Sequence, residues 1–220
     1  MIELNNFYCL SISDARFNYT NGIFKKYGLP ELIKYRGFTN IDKKERCCLF
    51  GHMSLVMIAR YMKLPYIFIY EDDAYPRKDI KEKMEFYIKN IPSDCGILVF
   101  GRNGEYGRVD LRENYHIVQQ RPFGAHAYLV LRECYDDLIK SFEKEKIADI
   151  ALKGDNFTNS FKPYWTNENL FIQKNIDTNC MSINLLQKHK GKYFYPKNNG
   201  TKIGGGLGIF DKPPNDIDWE

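Results

Sequence analysis

The run Pro65-Tyr66-Ile67-Phe68-Ile69-Tyr70-Glu71-Asp72-Asp73-Ala74-Tyr75-Pro76 constrains the fold more than any other stretch of the chain. The β-branched and aromatic residues Tyr66 to Tyr70 predict a strand buried on both faces. The strand ends abruptly in three adjacent acids, which repel one another unless a cation or hydrogen-bond donors meet them. At the exit of a buried strand in an α/β sheet, such acids lie where ligands usually bind. Hard cations such as Mg²⁺ or Mn²⁺ take oxygen ligands, often one or two carboxylates plus substrate phosphates. Two readings stand: a metal-dependent site for a phosphate-bearing substrate, or a solvated acidic turn.

The flanking sequence predicts strand–helix alternation, which points to an α/β protein. Phe7 to Ile12 reads as a first strand, and Ser13 or Asp14 can cap a helix reaching about Tyr27. Glu31 to Phe38 is a second short strand. Cys47 to Met62 is apolar on all sides and predicts a buried helix carrying His52, a residue that on such a helix is ordinarily part of the core. Asp79 with Glu82 suggests a capping box for a helix striped by Ile80, Met84, Tyr87, Ile88 and Ile91. Cys95 to Phe100 is a further buried strand, leaving through the polar loop Gly101 to Arg108. Tyr115 to Gln120 reads as an edge strand. Phe123 to Leu131 is a small-residue turn into another strand, and Glu133 to Glu145 a helix. Tyr164 to Leu170 leads into a short helix capped by Thr166, and Tyr193-Phe194-Tyr195 suggests a late strand. The glycine-rich segment Gly200 to Gly208 could cradle a diphosphate but does not match the P-loop pattern.

At 220 residues one domain is expected, placed at 1–210 with 211–220 as a tail or linker. The net charge of +4, without a dense basic block, gives no sign of a nucleic-acid partner. No apolar run approaches the roughly 18 residues of a membrane span, and the first residues lack the pattern of a secretory signal. The six cysteines contain no C-x-x-C pair and read as reduced core thiols of a cytoplasmic protein.

Several segments, in order, resemble glycosyltransferase family 25. Leu10-Ser11-Ile12-Ser13-Asp14-Ala15-Arg16 is similar to that family's first strand and the arginine-bearing turn after it. Cys47-Cys48-Leu49-Phe50-Gly51-His52 resembles its glycine-cysteine-apolar-apolar-serine-histidine segment, with cysteine for the glycine and Gly51 for the serine. Ile69-Tyr70-Glu71-Asp72-Asp73-Ala74 resembles its Glu-Asp-Asp motif. Ile97 to Gly101 and Gly124 to Leu129 resemble two later segments, and Asp149 falls where the family has an aspartate. The resemblance covers roughly residues 7 to 150.

It implies a GT-A fold, a Rossmann-like α/β/α sandwich with a mixed, mostly parallel central sheet. It also implies an enzyme, a hexosyltransferase in glycan biosynthesis. The donor would be a nucleotide-diphosphate sugar, UDP-hexose first, and the acceptor a hydroxyl of a glycan or glycoprotein. Mn²⁺ or Mg²⁺ would be held by Asp73 and Glu71, with His189 completing the shell. Ser11, Ile12, Arg16, Glu71, Asp72 and His126 would face the nucleotide sugar. The family inverts the anomeric centre, which calls for a carboxylate base, Asp149 first and Glu168 second. The alternatives are a retaining GT-A transferase, a nucleotidyltransferase, or a non-catalytic nucleotide-sugar-binding module. The sequence carries no signal for oligomeric state.

Overall fold

The computed structural model describes residues 2–39, 44–102, 108–109, 111–118, 126–157, 161–174, 193–196 and 207–210. In chain order the elements are β1 (Phe7–Leu10), α1 (Asp14–Lys26), β2 (Ile33–Tyr35), α2 (Lys44–Tyr61), β3 (Tyr66–Glu71) and β4 (Ala74–Pro76). Next come α3 (Ile80–Lys89), β5 (Cys95–Val99), β6 (Arg108–Val109), β7 (Tyr115–Val118), β8 (Ala127–Leu131) and α4 (Tyr135–Lys144). Last are α5 (Ala148–Ala151), β9 (Lys162–Thr166), β10 (Phe171–Lys174), β11 (Tyr193–Pro196) and β12 (Leu207–Phe210).

Eight strands form one sheet in the order β2-β1-β3-β8-β5-β9-β7-β6. The sheet is mixed, as expected. Parallel pairing is confined to β2–β1, β1–β3 and β5–β9, because β8 and β7 run against their neighbours. The parallel share is therefore smaller than expected. Alternation along β3 sorts the core into two layers. Phe68 and Tyr70 join Phe24 of α1 and Ile80, Met84 and Tyr87 of α3 on one face. Ile67 and Ile69 join Leu55, Val56 and Ala59 of α2 and Leu138 and Phe142 of α4 on the other. The result is an α/β/α sandwich. A second, antiparallel sheet, β12-β11-β10-β4, begins directly after the acids.

The register fixes where the acids lie. Leu10 pairs with Glu71, so the C-terminal ends of β1 and β3 finish side by side. The turn after β1 is closed by Ser13, whose side chain accepts from the backbone N–H of Arg16 and caps α1. That helix stops at Gly28, whose φ of +71° lies in the left-handed region that glycine tolerates.

Gly51 faces the tip of the buried Leu10 side chain. A Cβ there would lie 2.7 Å from Leu10 Cδ1 and 2.8 Å from Cδ2, so its absence lets α2 lie close on β1. We expect Gly51→Ala to cost about 1–3 kcal/mol through overpacking, measured by urea denaturation.

Four local expectations are corrected. Thr166 ends a strand, and no helix follows it before β10; its hydroxyl lies 2.7 Å from the Glu168 carbonyl. Asp79 precedes α3 but makes no capping bond, because its carboxylate pairs with Arg77. The β7 strand lies one place in from the sheet edge, between β9 and β6. Arg102, expected in a polar surface loop, is buried, and its guanidinium donates to the Thr166 and Asn167 carbonyls. Residues 200–206 of the glycine-rich segment lie outside the described residues; Leu207–Phe210 forms β12.

Candidate metal and nucleotide-sugar site

Three segments meet at the C-terminal edge of β1 and β3. The first is the turn after β1, bearing Ser11 and Arg16. The second is the acidic triplet. The third is β10, whose Gln173 pairs with Ala74 of β4 immediately after the triplet.

The three acids have different surroundings. Asp72 is buried and already engaged. The Ser11 hydroxyl donates to its Oδ2 at 2.6 Å, Arg16 forms an ion pair with its Oδ1, and the Thr20 hydroxyl donates to its backbone carbonyl at 2.6 Å. Asp73 is buried too. Its Oδ2 accepts from Gln173 Nε2 at 2.9 Å and lies 3.6 Å from the Arg16 guanidinium. Its Oδ1 is buried and has no hydrogen-bond partner among the described residues. Glu71 is half-buried. Its Oε1 lies 3.0 Å from His52 Nε2 and 3.3 Å from Cys48 Sγ, and its Oε2 accepts from Gln173 at 3.4 Å.

Electrostatics follows from these contacts. Burial, then the charge of Glu71, pushes the Asp73 carboxyl well above its ordinary range, against the pull of Arg16. Burial also raises Asp72, opposed by Arg16 and the Ser11 hydrogen bond. For Glu71, burial acts upward but is outweighed by the hydrogen bond and charge of His52, with His126 and Cys48 adding to it, so its carboxyl falls below the ordinary range. Asp73 thus presents a buried oxygen that water does not solvate and no donor satisfies. A divalent cation meets that need, and hard oxygen donors suit Mn²⁺ or Mg²⁺. The donor set fits the implied metal.

The remaining expected residues divide. Ile12 is exposed beside the turn after β1. His126 is fully buried; its backbone carbonyl accepts from Glu71 N–H at 2.9 Å, and its Nε2 lies 3.1 Å from the Phe171 carbonyl. Burial lowers its pKa, against the Phe171 carbonyl and the Glu71 charge, and its Nδ1 has no partner among the described residues. Asp149 lies in α5, in the helical layer; it and Glu71 both act on the Tyr128 phenol, which burial raises first. Glu168 follows β9 at the same sheet edge, three strand spacings or roughly 14 Å from β3. Both its oxygens are taken, one by Arg77 and one by Lys83, each at 2.8 Å. His189 lies outside the described residues. The structure therefore brings together Ser11, Arg16, Glu71, Asp72 and Asp73, and separates Glu168 from them.

Gln173 and Thr20 escaped the sequence reading, whereas Cys48 and His52 enter it only through the family-like segment on α2 and, for His52, as core. Gln173 bridges Glu71 and Asp73 from 100 residues away, and nothing local marks it. Thr20 sits one turn beyond Arg16 on α1, and that spacing was a signal. Cys48 and His52, four apart on one face of α2, reach Glu71 from below.

No protein-family model matches the sequence, and no curated protein matches it significantly. Solved structures similar to the chain include a glycosyltransferase involved in glycosylation of the major capsid of PBCV-1. That match has 12% identity and a TM-score of 0.42, and covers 62% of this chain; the chain spans 64% of that protein's length. Another is a Drosophila β-1,4-galactosyltransferase 7 mutant in complex with manganese, UDP-Gal and xylobiose, at 12% identity and TM-score 0.39, covering 97% of both chains. A third is HddC from Yersinia pseudotuberculosis, at 13% identity and TM-score 0.35, covering 76% of this chain and 70% of that one. Among the described residues, no helix is long and apolar enough to cross a membrane.

Proposed function

We propose that the chain is a metal-dependent glycosyltransferase of GT-A type, moving a sugar from a nucleotide-diphosphate donor to a hydroxyl of a glycan or glycoprotein. The observation that carries this reading is Asp73 Oδ1, a buried carboxylate oxygen without a partner among the described residues, at the C-terminal edge of a parallel strand pair. Asp73 and Glu71 would hold Mn²⁺ or Mg²⁺. When bound, such a cation neutralises the diphosphate charge that develops as the sugar leaves.

The chain's own residues do the rest. Gln173 fixes the spacing of Glu71 and Asp73 by donating to both. Arg16 offsets the charge of Asp72 and faces the Asp73 carboxylate. Ser11 and Ile12, on the turn between β1 and α1, border the nucleotide. In the inverting reaction the acceptor oxygen forms a bond to the sugar C1 as the C1–phosphate oxygen bond breaks. That bond's electron pair stays on the diphosphate, and the acceptor's proton passes to a carboxylate. Asp149 is the proposed base. Glu168 is set aside, because Arg77 and Lys83 occupy both its oxygens.

A thermal-shift screen tests the reading, with UDP-Gal, UDP-Glc, other nucleotide sugars and nucleoside triphosphates, each with Mn²⁺ and again with chelator. A donor at about 100 times its Kd adds about 2.7 kcal/mol to stability. The expected result is a shift with one diphosphate-sugar class that vanishes in chelator, followed by sugar transfer in product analysis. A shift only with triphosphates would favour nucleotidyl transfer. Metal-dependent donor binding without turnover would favour a binding module.

A further inference from the structure

Beside the acids lies a donor set of different chemistry. Cys48 Sγ, His52 and a Glu71 carboxylate oxygen present ligand atoms that all lie within 4.8 Å of one another. Cys48 and His52 are four residues apart on α2 and so share a face. Glu71 Oε1 is 3.3 Å from Cys48 Sγ and 3.0 Å from His52 Nε2. Tetrahedral zinc with ordinary bond lengths separates its ligand atoms by roughly 3.3–3.6 Å, so the donors need little movement to close on an ion.

We propose that Cys48, His52 and Glu71 form a second metal site, for a borderline-soft divalent cation, Zn²⁺ first. Thiolate and imidazole select such an ion over Mg²⁺, whereas Asp73 offers only oxygen. The surroundings already resemble the outer shell of such a site. His52 Nδ1 lies 2.8 Å from the Tyr128 hydroxyl, and both residues are fully buried. Ligation through Nε2 requires the proton on Nδ1, and Tyr128, a neutral phenol, can accept it as readily as it can donate in the other tautomer. Binding takes Cys48 as the thiolate and His52 as the neutral imidazole, and the protons displaced pass to solvent. Glu71 then spans both sites: Oε1 turns to the soft cation, and Oε2 stays with Gln173 beside Asp73. The second ion would lock the carboxylate that the first one uses.

Co²⁺ is the probe, titrated into the chelator-treated full chain. We expect a near-ultraviolet thiolate-to-cobalt charge-transfer band that saturates at one equivalent and disappears on adding Zn²⁺. The band should persist in Cys47→Ser and in Asp73→Asn, vanish in Cys48→Ser, and need about 10-fold more Co²⁺ in Tyr128→Phe. Circular dichroism checks that Cys48→Ser is folded. If it is not, Glu71→Gln, which keeps the thiol and loses an anionic donor, should weaken Co²⁺ at least 10-fold. No band in the parent chain, or a band surviving in folded Cys48→Ser, overturns the proposal. Because Asp73→Asn keeps the band, loss of donor binding in that variant would leave this site standing.

Discussion

Asp73→Asn should lower metal-dependent sugar transfer by about 10²–10³-fold, the range seen when one preorganised electrostatic contact to a transition state is lost. The same substitution should leave metal-free stability equal to the parent's or higher. The two expectations share one cause. Folding raises the Asp73 pKa, so ionising this carboxyl costs the folded state stability that a neutral group would not cost it. A group whose folded pKa is raised contributes stability as pH falls toward its unfolded pKa and costs stability above it. Asparagine removes that cost while keeping the shape and the contact with Gln173. Steady-state kinetics with Mn²⁺ and urea titration in chelator measure the two halves. Undiminished Mn²⁺-dependent transfer would remove Asp73 from the metal site.

Arg16→Ala is expected to have the largest effect on the fold itself. The guanidinium side chain is 14% exposed and faces Asp72 and Asp73, which are 7% and 5% exposed. Removing it leaves carboxylates buried beside Glu71 without their counter-charge, a change that costs about 3–5 kcal/mol. Both aspartate pKa values would then rise further. The variant's deficit should therefore be greatest near neutral pH and shrink as pH falls, because protonation removes the repulsion. Divalent cation should also restore part of the loss, since the ion replaces the missing positive charge. Urea denaturation across pH, with and without Mn²⁺, reads all three. A deficit independent of both pH and cation would mean that Arg16 acts through packing alone.

Much of the frame was legible before any coordinates. The two-sided burial of β3 and the Ser13 cap follow from local sequence, which carries most of the information for such elements, whereas α2, expected to be buried all round, leaves Met57 and Tyr61 exposed on its outer face. The acids declared themselves because charge directly after a buried strand demands an explanation. What stayed hidden depends on pairing between distant segments. Tyr164 to Leu170 reads locally as the approach to a short helix, yet Tyr164 to Thr166 belong to β9, which is inserted between β5 and β7, where tertiary pairing overrides local propensity. Gln173 acquires its role only through the β4–β10 register. His52 was weighed as a core residue, which its burial bears out; its contact with Glu71 depends on where β3 ends relative to α2, a distance that sequence does not encode locally.

The span of these contacts also bears on how the chain reaches its native state. Ser11 meets Asp72 across 61 residues, and Gln173 meets Asp73 across 100. Contacts so far apart in sequence form late, after shorter loops have closed. Nothing in the early collapse needs to hold the three acids against their neighbours, because Arg16, Ser11 and Gln173 reach them only as the topology completes. Mutual repulsion among the carboxylates is thus deferred until the sandwich around them is in place to bear it. A chain with this connectivity can carry an acidic cluster at its working edge without that cluster obstructing its folding.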